Sequence, residues 1–113
     1  MAKVIHKFPL IEWIRDGKVE FDLPLRVMAE TLCVQVDEKT GEPAVWALMN
    51  VHPEYAISPR RFRVVATGEH LHPAHEFHGQ RAVGLDFWRY VGTWQQAPLV
   101  WHLFERQDLP KGS

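Results

Sequence analysis

Apolar side chains in this chain recur at every second position, and no stretch sustains the helical spacing of three to four. Lys18-Val19-Glu20-Phe21-Asp22-Leu23-Pro24 alternates without error, so Val19, Phe21 and Leu23 share one face. Period two is the mark of a strand with one buried side. Asp16-Gly17 accepts the positive φ angles of a two-residue turn, so this strand is expected to pair with the segment Lys3 to Ile14 before it. Pro9 within that segment marks an edge or a bulge. Leu10, Ile11 and Ile14 offer a helical turn that Asp16-Gly17 cuts short.

The same period continues downstream. Thr31 to Val36 is expected to turn Leu32, Val34 and Val36 inward, with Thr31, Cys33 and Gln35 opposite. Gly41 suits the left-handed position that closes the hairpin loop Asp37 to Glu42. Ala44 to Asn50 is apolar on both faces and therefore central or covered on both sides. In Arg61 to Gly68, Phe62, Val64 and Ala66 point one way and Arg61, Arg63 and Val65 the other. Residues 69–84 read as a polar loop. Leu85 to Gln95 and Leu99 to Glu105 make a last hairpin, joined near Gln96-Ala97-Pro98. About seven strands at such spacings predict an all-β fold, a single-domain antiparallel sandwich or small barrel over residues 1–106, with a loose tail at 107–113.

Composition fits that reading. The chain has 113 residues, 46% of them apolar and 24% charged, which is a globular balance and enough for one core without staples. Its 13 basic against 14 acidic residues give a formal charge of −1, which argues against general nucleic-acid binding. No apolar run is long enough to span a membrane. The sequence start has no secretory h-region and Cys33 is the single cysteine, so a cytoplasmic setting is the expectation. Acidic residues gather in 12–54 and basic ones in 55–113, a dipolar spread able to orient self-association.

Four groups of residues carry candidate chemistry. His70, His72, His75 and His78, with Glu69 and Glu76, are imidazole and carboxylate ligands of the kind that hold zinc, nickel or copper. Their spacing matches no established zinc signature, and an exposed polar loop accounts for them as well. Arg61 and Arg63 project from one strand face about 7 Å apart, a spacing at which two guanidiniums fork onto phosphate or carboxylate. Acids on a neighbouring strand would satisfy them equally. Trp88 and Trp94 share a face of an unbulged strand with Tyr90 between them, and Trp101 lies on the next strand. This aromatic set stacks a base or sugar, anchors a subunit interface, or fills the core. Cys33 has no cue for a lowered pKa, although His102 could pair with it in space. No glycine-rich phosphate loop, serine elbow or paired-carboxylate motif occurs, so no enzymatic activity and no cofactor are expected.

The order of segments resembles a family of small uncharacterised proteins encoded in bacteriophage and bacterial (prophage) genomes. The resemblance rests on Ile5-His6-Lys7-Phe8-Pro9-Leu10, Glu30 to Val36, Val45-Trp46-Ala47-Leu48 and Arg60 to His70. It continues in Tyr90-Val91-Gly92-Thr93 and Leu99 to Glu105. It implies a small accessory or host-interaction protein. Together with the surplus of aromatics, this yields the expected function. It is a non-enzymatic binding module, self-associating as a homo-oligomer, acting on a host protein or an anionic small molecule. One alternative is an anti-defence protein that sequesters an anionic nucleotide through Arg61, Arg63, Trp88, Trp94 and Trp101. Another is a metal-dependent enzyme at the His70–His78 loop.

Overall fold

A computed structural model describes residues 3–14, 19–51, 56–69, 76–78, 87–96 and 98–107. Its elements run β1 (Lys3–Pro9), α1 (Ile11–Ile14), β2 (Glu20–Leu23), β3 (Glu30–Val36), β4 (Pro43–Asn50), β5 (Arg60–Ala66), β6 (Glu76–His78), β7 (Phe87–Gln96) and β8 (Leu99–Gln107). They form two sheets. The smaller has the order β1-β4-β3, and the larger β2-β5-β8-β7-β6. Every pairing is antiparallel except that of β6 with β7. The fold is an all-β sandwich and not a closed barrel. Its core holds Leu10, Phe21, Leu23, Leu25, Val34, Val45, Ala47, Phe62, Val64, Trp94 and Leu103 between the sheets.

β4 is central in the smaller sheet, as its two apolar faces require. β1 is at the edge and ends on Pro9, where a missing N–H costs no ladder bond. Gly41 takes φ +72° in the β3–β4 turn, which Asp37 braces by accepting the Lys39 amide at 2.9 Å. Lys7 also reaches Asp37 and holds its carboxyl below the usual carboxylate range, with help from the Lys39 amide.

Several expectations give way. β1 and β2 do not form a hairpin: β1 pairs with β4, and β2 with β5. Charge explains the choice, because Glu20 and Asp22 fall directly opposite Arg63 and Arg61, and opposite charges across a ladder stabilise it. The turn residues Asp16 and Gly17 lie outside the described set. A further strand, β6, arises within the segment read as loop. In β3 a bulge between Thr31 and Cys33 inverts the alternation at its start. Thr31 is buried and Leu32 exposed, the reverse of the simple period-two reading, and Val36 is exposed as well. A second bulge, between Tyr90 and Gly92, turns the rest of β7 over.

The sheets come closest where β3 lies against β7. Gly92 makes this possible: a Cβ there would sit 2.7 Å from a methyl of Val34. On the opposite side the sandwich opens. There β1 faces the chain after β2, and Val4, His6, Phe8, Pro24, Met49 and Ile57 line a groove of about 240 Å³.

Candidate anion-binding cleft

Antiparallel pairing gathers the end of β2, the start of β5 and the end of β8 at one corner of the larger sheet. Leu23 is opposite Arg60, and Phe62 opposite Glu105. Residues far apart in sequence therefore meet there. Asp22, Ser58, Pro59, Arg60, Arg61, Arg106 and Gln107 line an open cleft of about 460 Å³. The approach to β5 is pinned by the Ser58 amide, which donates to the Leu25 carbonyl at 2.6 Å, and by a bridge between Arg26 and Ile57.

Behind the cleft wall lies Glu105, with its side chain 1% exposed. Its Oε1 accepts from Thr31 Oγ1 at 3.0 Å and from Arg60 Nη1 at 3.0 Å. Its Oε2 accepts from Arg89 Nη2 at 2.7 Å and from Gln107 Nε2 at 3.3 Å. Each of the four lone-pair sites of this buried carboxylate thus has a donor. Arg60 Nη1 also donates to the Ala29 carbonyl at 2.8 Å. The guanidinium is thereby fixed from behind. Among the described residues, nothing bonds its Nε and Nη2.

Arg61 forks onto Asp22, with Nε to Oδ1 at 3.1 Å and Nη2 to Oδ2 at 3.4 Å. The Asp22 hydrogen bond holds the guanidinium's pKa above its usual value. Among the described residues, nothing bonds its Nη1. Three guanidiniums, a serine hydroxyl and a glutamine amide thus share the cleft with one exposed carboxylate, Asp22. Planar donors of this kind match phosphate and carboxylate oxygens two at a time.

The residues singled out from sequence are distributed differently. Arg61 and Arg63 do share a face, but each meets a carboxylate. Arg63 bonds Glu20 at 3.2 Å and Glu69 at 3.4 Å. The tryptophans do not make one surface. Because of the β7 bulge, Trp94 pairs with Trp101 on the inner face beside Leu103, while Trp88 falls on the outer face with Tyr90 and Thr93. Trp94 is part of the core and Trp101 packs against it. Trp88 is buried outside that core cluster. Cys33 is on the smaller sheet, paired with Trp46. His102 is on the larger sheet, where its ring nitrogens meet Thr67 at 2.6 Å and Thr93 at 2.8 Å, so the two do not form a nucleophile and base. His70, His72 and His75 lie outside the described residues, and His78 is described only as part of β6. Among the described residues no three His, Cys, Asp or Glu side chains gather as a metal-holding group. No described helix is long and apolar enough to cross a membrane.

Sequence reasoning passed over Arg60, Arg106, Ser58, Gln107 and Glu105. A signal for Glu105 existed. It follows Trp101 and Leu103 at period two, so an acid is placed on the inner face of an apolar strand.

The fold and cleft define a two-sheet β protein with an arginine-walled corner. Residues 1–112 match the family described as a domain of unknown function, DUF7352, and the chain belongs to that family. Neither the curated proteins nor the solved structures contain a match.

Proposed function

We propose that this protein acts by binding and not by catalysis, and that its ligand is a phosphorylated small molecule held in the cleft of Arg60, Arg61 and Arg106. The observation that carries this reading is the Arg60 guanidinium, fixed from behind by Glu105 and Ala29 and open on its cleft side. A donor fork oriented before the ligand arrives loses little entropy on binding. Asp22 now occupies Arg61, and a ligand phosphate with more charge would displace it. The finer form of the proposal follows the resemblance to phage and prophage proteins. It is a cytoplasmic accessory protein that sequesters a host nucleotide in an anti-defence role. Arg63 and the tryptophans have no part in this site.

Calorimetric titration with pyrophosphate, AMP and ATP tests it. At least one probe is expected to bind with micromolar affinity that weakens as salt rises. Arg61→Ala and Arg106→Ala are each expected to weaken that probe about tenfold, about 1.4 kcal/mol. The nucleotide is expected back unchanged after incubation. No heat from any probe, or equal affinity in both variants, would remove the cleft as the site, and turnover would remove the non-enzymatic reading.

A further inference from the structure

Three charged side chains stand in a row across the outer face of the larger sheet. Asp22 on β2 is opposite Arg61 on β5, and one step beyond the Phe62–Glu105 pair the same antiparallel ladder brings Arg106 of β8 to the other side of Arg61. All three line the cleft, and Arg61 is thus flanked by an acid and a base. The acid is not exhausted by its ion pair. Asp22 accepts one bond on each oxygen, from Nε at 3.1 Å and from Nη2 at 3.4 Å, whereas a carboxylate has about four acceptor sites. Its side chain is 47% exposed. Gln107 donates its Nε2 to Glu105 and to the Arg106 carbonyl, so the end of its amide turned away from Glu105 is the acceptor Oε1. We propose, resting on the reading of this cleft as a phosphate site, that it selects phosphates bearing hydroxyl groups, the sugar phosphates, and that Asp22 reads the hydroxyls.

An exchange of partners makes the selection. A phosphate that takes the guanidiniums of Arg61 and Arg106 displaces Asp22 and leaves its carboxylate beside another anion. A bare phosphate or a simple phosphate ester meets that repulsion and offers the carboxylate no donor. A sugar phosphate offers its hydroxyls to the oxygens that Arg61 has left, as a ribose hydroxyl does to the acidic residue of a dinucleotide site. Neighbouring strands are about 4.8 Å apart, so Asp22 and the Arg61–Arg106 pair are separated by roughly the span of one sugar ring. The Ser58 hydroxyl and the Gln107 amide oxygen supply further acceptors in the same cleft. A site equipped to accept from hydroxyls discriminates against the analogue that lacks them.

Ribose 5-phosphate and methyl phosphate test this, since both are phosphate monoesters and they differ in hydroxyls. In calorimetric titrations the wild-type chain is expected to bind ribose 5-phosphate at least ~10-fold more tightly than methyl phosphate. Asp22→Asn keeps the shape and loses the charge. It is expected to bind methyl phosphate about fivefold more tightly than the wild type does, because the repulsion is gone. Its preference for ribose 5-phosphate is expected to shrink to about threefold, and that of Asp22→Ala, which lacks the acceptor altogether, to about twofold. Melting temperatures check that the variants fold, and either one that folds carries the comparison. Equal wild-type affinities for the two probes would overturn the role of Asp22, and a loss of both in Arg61→Ala would still leave the cleft as a phosphate site. A preference that survives at Asp22 variants would overturn it as well, assigning the hydroxyls to other groups. Heat from neither probe would remove this inference and the phosphate reading together.

Discussion

At the scale of single residues, Glu105 ties the two sheets together. Thr31 reaches it from the smaller sheet, Arg60 and Arg89 from the strands on either side. Taking the carboxylate out of water costs several kcal/mol, which four donors offset. Removing it alone takes the buried acceptor from two half-buried guanidiniums and from the Thr31 hydroxyl. Glu105→Ala is therefore expected to lower the free energy of unfolding by about 1–3 kcal/mol in urea titrations. A loss below about 1 kcal/mol would mean that both arginines find water. This knot was half legible. Period two along β8 puts residue 105 on the face of Trp101 and Leu103, a signal that the sequence reading passed over. What a linear reading lacks is the juxtaposition, because Thr31, Arg60, Arg89 and Glu105 meet only through the pairing of β3, β5, β7 and β8. The same knot explains why Thr31 faces inward. A buried carboxylate needs a donor, and the bulge after Thr31 supplies it at the cost of exposing Leu32.

At the scale of elements, strand positions were readable and strand irregularities were not. Alternation located β2 to β5, β7 and β8 to within a few residues. It failed at the two bulges, since one extra residue reverses every side chain beyond it. That reversal separates Trp88 from Trp94 and dissolves the aromatic platform expected on one face. Gly92 marks the second bulge and is also where β7 meets β3. Gly92→Ala would press its methyl onto Val34. Overpacking of this kind costs about 1–3 kcal/mol. If the contact with Val34 is the cause, Val34→Ala restores part of the loss, and a double-mutant cycle in thermal unfolding shows a coupling of about 1 kcal/mol. Additive effects would place the penalty in the Gly92 backbone.

At the scale of the whole molecule, the all-β class followed from periodicity alone, but the partition of strands between sheets did not. Adjacent strands usually pair, so β1 and β2 were expected together. The sandwich separates them because cross-strand charges bind β2 to β5, while α1 carries the chain from one sheet to the other. The result is an asymmetric body, joined tightly along β3 and β7 and parted along β1 and the chain after β2. Such a body resembles a book, with a bound spine and a fore-edge that can lift. Its native fluctuations should begin at the fore-edge and stop at the spine, the layers parting there without the protein coming apart. Hydrogen exchange would show the gradient. Amides of β1 and β2 are expected to exchange well before those of β3, β7 and β8, and uniform protection would mean that the two sheets open only as one unit.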